Sequence, residues 1–366
     1  MRNIRTILLL CIITCLLLAT APSYAQTDNS KKDFNITAYA EVFYAYDFAK
    51  PQDHIRQPFL YAYNRHNTFS LHLGMIKANY DNDKVRGNLA LMAGTYSNDN
   101  MAAEAGVLKN IYEANVGVKI SKKENVWIDA GVLPSHIGWE SAVGKDCPTL
   151  TRSIAAENSP YFETGARLSY TSDNNKWYIA GLLLNGWQRI ERVNGNHTPA
   201  FGHQLTYKPN EQVTINSSSF VGNDKPDSVR QMRYFHDLYG QFSINESISL
   251  TLGFDIGAEQ QSKGSSRYNI WYTPNVIASI RPDEKWNIGL RAEYFNDKNG
   301  VIIPGSNGAE GFRTFGYSMN VDRLITDNCI WRMEARGFNS KDRIFMKDGR
   351  ATNSNFFVTS SLAISF

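Results

Sequence analysis

The residues with the most capacity for chemistry crowd into one stretch, 137–160, where Glu140, Lys145, Asp146, Arg152 and Glu157 are interleaved with Trp139, Cys147 and the helix-prone run TLTRSIAAEN. Acids and bases mixed at this density create a local field that orients polar solutes, provided that they face enclosed water. Arg152 and Lys145 are expected to stand opposite carboxylates across such a space. Covalent chemistry has less to work with. Ser135-His136, beside Trp139, is the one adjacent candidate for a nucleophile and its base, and adjacency in sequence is not triad geometry. No HExxH pair, Walker loop or nucleophile elbow occurs, and the seven histidines are scattered without ligand spacing. Neither a metal nor a cofactor is expected.

A loop of this kind needs a frame, and the rest of the chain is written in a period of two. FNITAYAEVFYAYDF puts Phe34, Ile36, Ala38, Ala40, Val42, Tyr44, Tyr46 and Phe48 on one face and Asn35, Thr37, Tyr39, Glu41 and Asp47 on the other. IYEANVGVKI and SISLTLGFDIGAE repeat the pattern. About sixteen such strands are expected, near 34–48, 66–80, 84–97, 108–120, 126–136, 161–171, 176–187, 199–208, 211–222, 230–244, 247–260, 267–281, 286–296, 312–325, 328–340 and 354–366. Several are longer than an ordinary globular strand and match what a tilted strand needs to cross a bilayer. Short turns rich in Asn, Asp and Pro alternate with longer links, of which 137–160 is the third and longest. Short and long in alternation is the connectivity of an up-and-down barrel with one trimmed and one ornamented end.

The ends of the chain agree. MRNIRTILLLCIITCLLLATAPSYAQ reads as a signal peptide over 1–25, cut before Gln26, followed by a short linker at 26–33 and one domain at 34–366. Without Arg2 and Arg5 the chain keeps 36 of its 38 basic residues against 35 acids, a balance that implies no nucleic-acid partner. Only Cys147 and Cys329 remain, too few for a disulfide scaffold. No stretch after residue 25 is long and apolar enough for a membrane helix. Yet the sequence carries 19 Tyr, 19 Phe and 7 Trp, and it stops on Phe366 in NFFVTSSLAISF, where a frayed polar tail is the usual ending.

Barrel width decides which face is inside. Some eight strands close around a lumen that side chains fill, whereas about sixteen enclose water. Apolar residues lining so wide a lumen would stay wet, so the greasy face turns out into lipid and the sheet closes to leave no unpaired edge. The mid-strand charges Arg86, Glu113, Arg167, Arg291, Glu293, Arg332 and Arg336 then line the lumen, together with the charges of 137–160. Rings near the short turns (Tyr80, Tyr170, Trp177, Tyr207, Phe242, Trp286, Phe366) and near the long links (Tyr44, Tyr46, Phe48, Tyr272, Tyr294) form two interfacial girdles. Phe366 becomes a lipid-facing anchor. The competing reading is a secreted soluble all-β protein.

The stretch GVLPSHIGWESAVGKDCPTLTRSIAAENSPYFETGARLSY, with the signal peptide and the terminal Phe366, resembles the OmpL-like, or beta-barrel porin-2, outer-membrane porins of Gram-negative bacteria of the Bacteroidetes type. The resemblance implies a transmembrane antiparallel β-barrel with short periplasmic turns and long extracellular loops, set in outer-membrane lipid and lipopolysaccharide. It also implies a C-terminal strand read by the barrel-assembly machinery, and it brings no catalytic residues. The expected activity is passive diffusion of small hydrophilic solutes through a water-filled channel narrowed by 137–160, with a homotrimer as the candidate assembly. The rivals are an outer-membrane barrel hydrolase built on Ser135-His136 and a structural or adhesive barrel with an occluded lumen.

Overall fold

The structure, a computed structural model, describes residues 33–366. The expected signal peptide and most of the linker lie outside these residues. Strands β1 (Phe34–Asp47), β2 (Phe69–Asp81), β3 (Val85–Ala93), β4 (Ile111–Lys119), β5 (Asn125–Pro134), β6 (Phe162–Thr171), β7 (Trp177–Leu184), β8 (Ala200–Asn210) and β9 (Val213–Asn223) follow one another as antiparallel neighbours. The meander continues through β10 (Met232–Ser243), β11 (Ile248–Gln260), β12 (Tyr268–Ile280), β13 (Trp286–Asp297), β14 (Phe312–Thr326) and β15 (Cys329–Ser340). A small hairpin, β16 (Phe345–Lys347) and β17 (Arg350–Thr352), stands in the last long loop before β18 (Ser354–Ser365). β18 pairs with both β15 and β1, so the sheet closes with sixteen strands and no free edge.

The two-residue period sorts side chains between lipid and lumen. On β1, Ile36 and Val42 are exposed, as is Phe48 just beyond it, while Tyr39, Glu41, Phe43 and Asp47 are buried. The short turns reverse through Asx geometry: Asn82 Oδ1 accepts from the amides of Lys84 and Val85, Asn245 Oδ1 from Ser247 and Ile248, and Asp283 Oδ1 from Lys285 and Trp286. Rings gather at both rims of the outer face. Trp177 stacks on Tyr207 with centroids 4.1 Å apart near the short turns, and Phe48 meets Phe356 at 5.5 Å near the long loops.

Two local departures from the periodicity have clear causes. β3 stops at Ala93 rather than running to 97, because Gly94 takes φ +130° where a Cβ would strike the His72 carbonyl; α1 (Thr95–Asn100) follows. The lumen is also not polar throughout. Phe220, Phe235, Trp271, Phe295, Phe338 and Phe357 point inward, and Phe59 and Leu60 of the first long loop, Ile137 and Ile154 of the third, Ile303 of the seventh and Phe345 of the eighth pack on them. The expectation that an apolar inner face would stay wet fails in this half of the barrel because the loops themselves dry it.

Candidate pore constriction

The third long loop crosses the inside of the barrel. It opens beside β9 and β10, where Ser218 Oγ donates to the His136 carbonyl at 2.7 Å and the Gly138 amide donates to Asp237 Oδ2 at 3.2 Å. Trp139 then lies against Gly253 of β11, a position where any Cβ would overlap the indole. Farther on, the Pro148 carbonyl accepts from Asn287 of β13 and Asn320 of β14. The loop turns into α2 (Ile154–Glu157), whose first turn is capped by Ser153 Oγ accepting from the Ala156 amide.

A ladder of charges on β13 and β15 holds this path. Between the two strands, β14 presents Gly316, Ser318 and Asn320, small enough for the long side chains on either side to meet above them. Arg336 Nη1 donates to the Arg152 carbonyl at 2.7 Å, Arg332 Nη2 to the Cys147 carbonyl at 3.0 Å, and Arg291 Nη1 to the Thr151 carbonyl at 2.6 Å. Glu334 and Glu293 take the amides of Thr151 and Ile154 at 2.5 and 2.6 Å. Three cations thus bind loop carbonyls while two carboxylates bind loop amides. Each cation also meets an acid: Arg291 with Glu334 at 2.7 Å, Arg336 with Glu293 at 2.5 Å and Arg332 with Asp322 at 2.8 Å. Such groups are tolerated in a dry interior because every charge has a partner and further hydrogen bonds.

The charges singled out from sequence therefore fall into different places. Arg291, Glu293, Arg332 and Arg336 are buried against the loop rather than presented to open water. Arg152 does not stand opposite carboxylates across a space; it is enclosed, its guanidinium donating to the carbonyls of Ser141, Leu150 and Ala142. Glu140 accepts from the Ser153 amide at 3.0 Å, so it too braces the loop. Glu157 receives the Tyr61 and Ala62 amides at 2.9 and 3.1 Å, tying the third loop to the first. Burial, only partly offset by those amides, pushes its carboxyl up to about 7. Lys145 and Asp146 alone in this set are exposed, at the loop's turn toward the short-turn end. Arg86 and Arg167 clamp Asp129 at 2.6 and 3.1 Å, and Glu113 holds Lys77 at 2.6 Å, all on the wall of β2–β6.

Sequence reading left Glu334 and Asp322 out of the site, as well as the first loop. Glu334 had a signal, since it stands two residues from both Arg332 and Arg336 and so shares their face. The loop-to-loop contacts had none.

Space remains on both sides of this layer. Toward the long loops, a vestibule of about 280 Å³ has Glu157, Asn158 and Ser159 in its floor and Trp187, Arg189 and Arg233 in its wall. Toward the short turns, two chambers of about 490 Å³ each share Thr214 and Gln241, and Lys145, Asp146 and Pro148 roof one of them. Their walls mix amides and hydroxyls, among them Gln204, Thr206, Thr251, Ser279 and Asn287, with the charges of Lys176, Lys208, Glu211 and Arg281. The arrangement is a narrowed lumen with polar spaces on either side. It does not assemble Ser135 and His136 into a nucleophile and base: Ser135 Oγ accepts from the Ile137 amide, while His136 Nδ1 pairs with Glu163 and Nε2 faces the Ser219 carbonyl.

Comparison with known proteins places the whole barrel. The family described as "Putative beta-barrel porin-2, OmpL-like" matches residues 33–366. No curated protein matches the sequence. Among solved structures, the trimer form of OmpT, an outer-membrane protein of Vibrio cholerae, superposes with a TM-score of 0.60 at 8% identity, covering 91% of this chain and 99% of that one. The anion-selective porin from Comamonas acidovorans gives 0.59 at 8% identity, with 91% and 99% covered. The outer membrane channel DcaP of Acinetobacter baumannii gives 0.57 at 10% identity, with 93% and 99% covered. At these identities the likeness is one of fold.

Proposed function

Because the chain belongs to the beta-barrel porin-2, OmpL-like family of outer-membrane porins, we propose that it passes small hydrophilic solutes by passive diffusion, with the third loop setting the width of the path. The observation that carries this reading is the loop crossing the lumen between two polar vestibules, held by Arg291, Arg332 and Arg336. The charges of β13 and β15 are spent on the loop, which leaves amides, hydroxyls and the mixed charges of the spaces on either side to meet the solute. No covalent step and no energy source are involved. Deleting residues 142–156 tests it: single-channel conductance in planar bilayers rises, and an unchanged value would put the loop outside the path.

One observation favours a second reading, a barrel that stays shut. The apolar cluster joining Phe59, Ile154, Phe235, Phe295 and Phe338 lies among the loops that fill the lumen. Liposome swelling with a graded series of sugars separates the two, since a shut barrel admits none.

The working unit in this proposal is a homotrimer. On the outer face of β8–β10, His203, Ser219 and His236 form one mid-strand row, with Ser217 a hydrogen-bonding distance away. Polar groups at mid-depth are costly against acyl chains, so this wall suits contact with another subunit better than lipid. The trimer form of the similarly folded OmpT supports the number. Replacing both histidines by leucine is expected to move the unheated protein from oligomer to monomer on gels. Outer-membrane lipid, lipopolysaccharide and, through the strand ending in Phe366, the assembly machinery are the remaining partners, reached by way of a cleaved signal.

A further inference from the structure

Asp237 on β10 and Asp255 on β11 are directly opposite in register, both buried on the lumen face. Directly opposed residues of antiparallel strands keep their Cβ atoms about 4.5–5.5 Å apart, and like charges so placed repel. Of the other acids around the third loop, Glu293, Glu334 and Asp322 each face an arginine, while Glu140 and Glu157 accept from backbone amides. Among the described residues Asp237 and Asp255 form no ion pair, and His136, at the entry of the third loop, is committed to Glu163. Asp237 Oδ2 accepts from Gly138 and Asn216, whereas Asp237 Oδ1 and Asp255 Oδ1 have no donor from any other residue, and the two carboxyl groups stand within hydrogen-bonding reach of each other.

The next strand continues the same row. Thr273 of β12 is opposite Asp255, and its Oγ1 has no partner either. Asn275, opposite Gly253 and therefore diagonal to Asp255 on the same face, has neither its amide oxygen nor its nitrogen paired. Both residues are only 2% exposed. Unpaired buried polar groups each cost on the order of 1–3 kcal/mol, so four residues of this kind side by side call for a ligand.

We propose that this row is a binding site for a divalent cation of the calcium class, ligated by the carboxylates of Asp237 and Asp255, Thr273 Oγ1 and Asn275 Oδ1. Every donor is a hard oxygen, without the nitrogen or sulfur ligands that zinc prefers. Calcium tolerates an irregular set of six to eight oxygens and completes it with water, whereas magnesium demands near-ideal octahedral geometry. The cation removes the repulsion between the two aspartates. It also stiffens the entry of the third loop, because Asp237 holds the Gly138 amide.

The test uses the full barrel in detergent, stripped with a chelator and titrated with CaCl₂ by calorimetry. One site per chain is expected, weakened at least about tenfold by Asp255→Asn. Terbium is the optical probe: Trp139 sits over Gly253, next to Asp255, and sensitises its luminescence. Trp139→Phe lowers that signal and leaves the calcium titration in place. Should Asp255→Asn fail to fold, Asn275→Ala takes its role, and the wild-type titration stands by itself. Absence of calcium heat and terbium luminescence from the wild type overturns the proposal, as does unchanged affinity in a folded Asp255→Asn barrel; two aspartates sharing a proton would give that result.

Discussion

Arg336 Nη2 lies 2.5 Å from Glu293 Oε1, and both side chains also grip the third loop, Arg336 through the Arg152 carbonyl and Glu293 through the Ile154 amide. The pair is therefore a rivet between wall and loop rather than an ornament of the lumen. Arg336→Met leaves Glu293 buried with one cation fewer, a change that costs about 3–5 kcal/mol when a buried pair is broken. Glu293→Gln combined with Arg336→Met costs less than either change alone, since no bare charge is left behind. The single variant is expected to raise single-channel conductance and lower the temperature at which the barrel unfolds on gels. The double variant should keep the raised conductance while regaining part of that stability.

Cys147 reports on the same loop from within. Its thiol is buried, and burial pushes it above the ordinary range, so it is a poor nucleophile while the loop is seated. Arg332 holds the Cys147 carbonyl at 3.0 Å and the Gly144 carbonyl at 2.5 Å. In a Cys329→Ser background, maleimide is expected to leave Cys147 unlabelled until the barrel is denatured. Adding Arg332→Met should make labelling fast under native conditions. Equal slow labelling in both would mean that the arginine does not seat the loop.

Glu157 makes the contact between the first and third loops depend on pH. Its carboxyl is raised from an ordinary 4.5 to about 7, chiefly by burial, with the Tyr61 and Ala62 amides and then Arg152 and Arg336 pulling the other way. Arg56 of the first loop and the ring hydroxyls of Tyr61, Tyr96 and Tyr161 complete its charged and titratable surroundings. The enclosed state thus binds the proton more tightly than a loop in water does. Its stabilisation is full below pH 4.5 and is lost as pH rises through 7, by roughly 3 kcal/mol. Protease nicking of the first loop should therefore increase between these limits. Glu157→Gln, permanently neutral, should flatten the profile at its acid level.

How much of this was written in the chain depends on the range of the interaction. β11 at Ile248–Gln260 and β13 at Trp286–Asp297 fall within a residue of where alternation places them, because alternation is a local consequence of one face meeting lipid. β3 ended early for an equally local reason, the left-handed backbone at Gly94. The grip of Arg332 on the Gly144 carbonyl, by contrast, joins residues far apart in sequence. Nothing near either one reveals that a cation on β15 will be used up by a loop carbonyl. Composition showed a charged lumen but not how its charges are spent. The inward rings were hidden for the same reason: Phe338 lies on the charged face of β15 and becomes dry only when Phe59, from a loop hundreds of residues earlier, covers it at 5.5 Å.

The last residue separates stability from assembly. The Phe366 carbonyl accepts from the Ala38 amide at 3.2 Å and its own amide donates back to the Ala38 carbonyl at 2.9 Å, so the backbone completes the seam between β18 and β1. Its ring is 70% exposed and adds little packing within the barrel. Phe366→Ala keeps both backbone bonds, and in refolding from urea into detergent it should match the wild type to within about 0.5 kcal/mol, as surface substitutions usually do. In cells the same variant should reach the outer membrane in much smaller amounts if the ring is what the assembly machinery reads. Deleting Phe366 also removes two seam bonds, each worth about 1 kcal/mol, so it should lower stability in detergent as well. Equal membrane levels for the wild type and Phe366→Ala would show that the ring serves only as a lipid anchor.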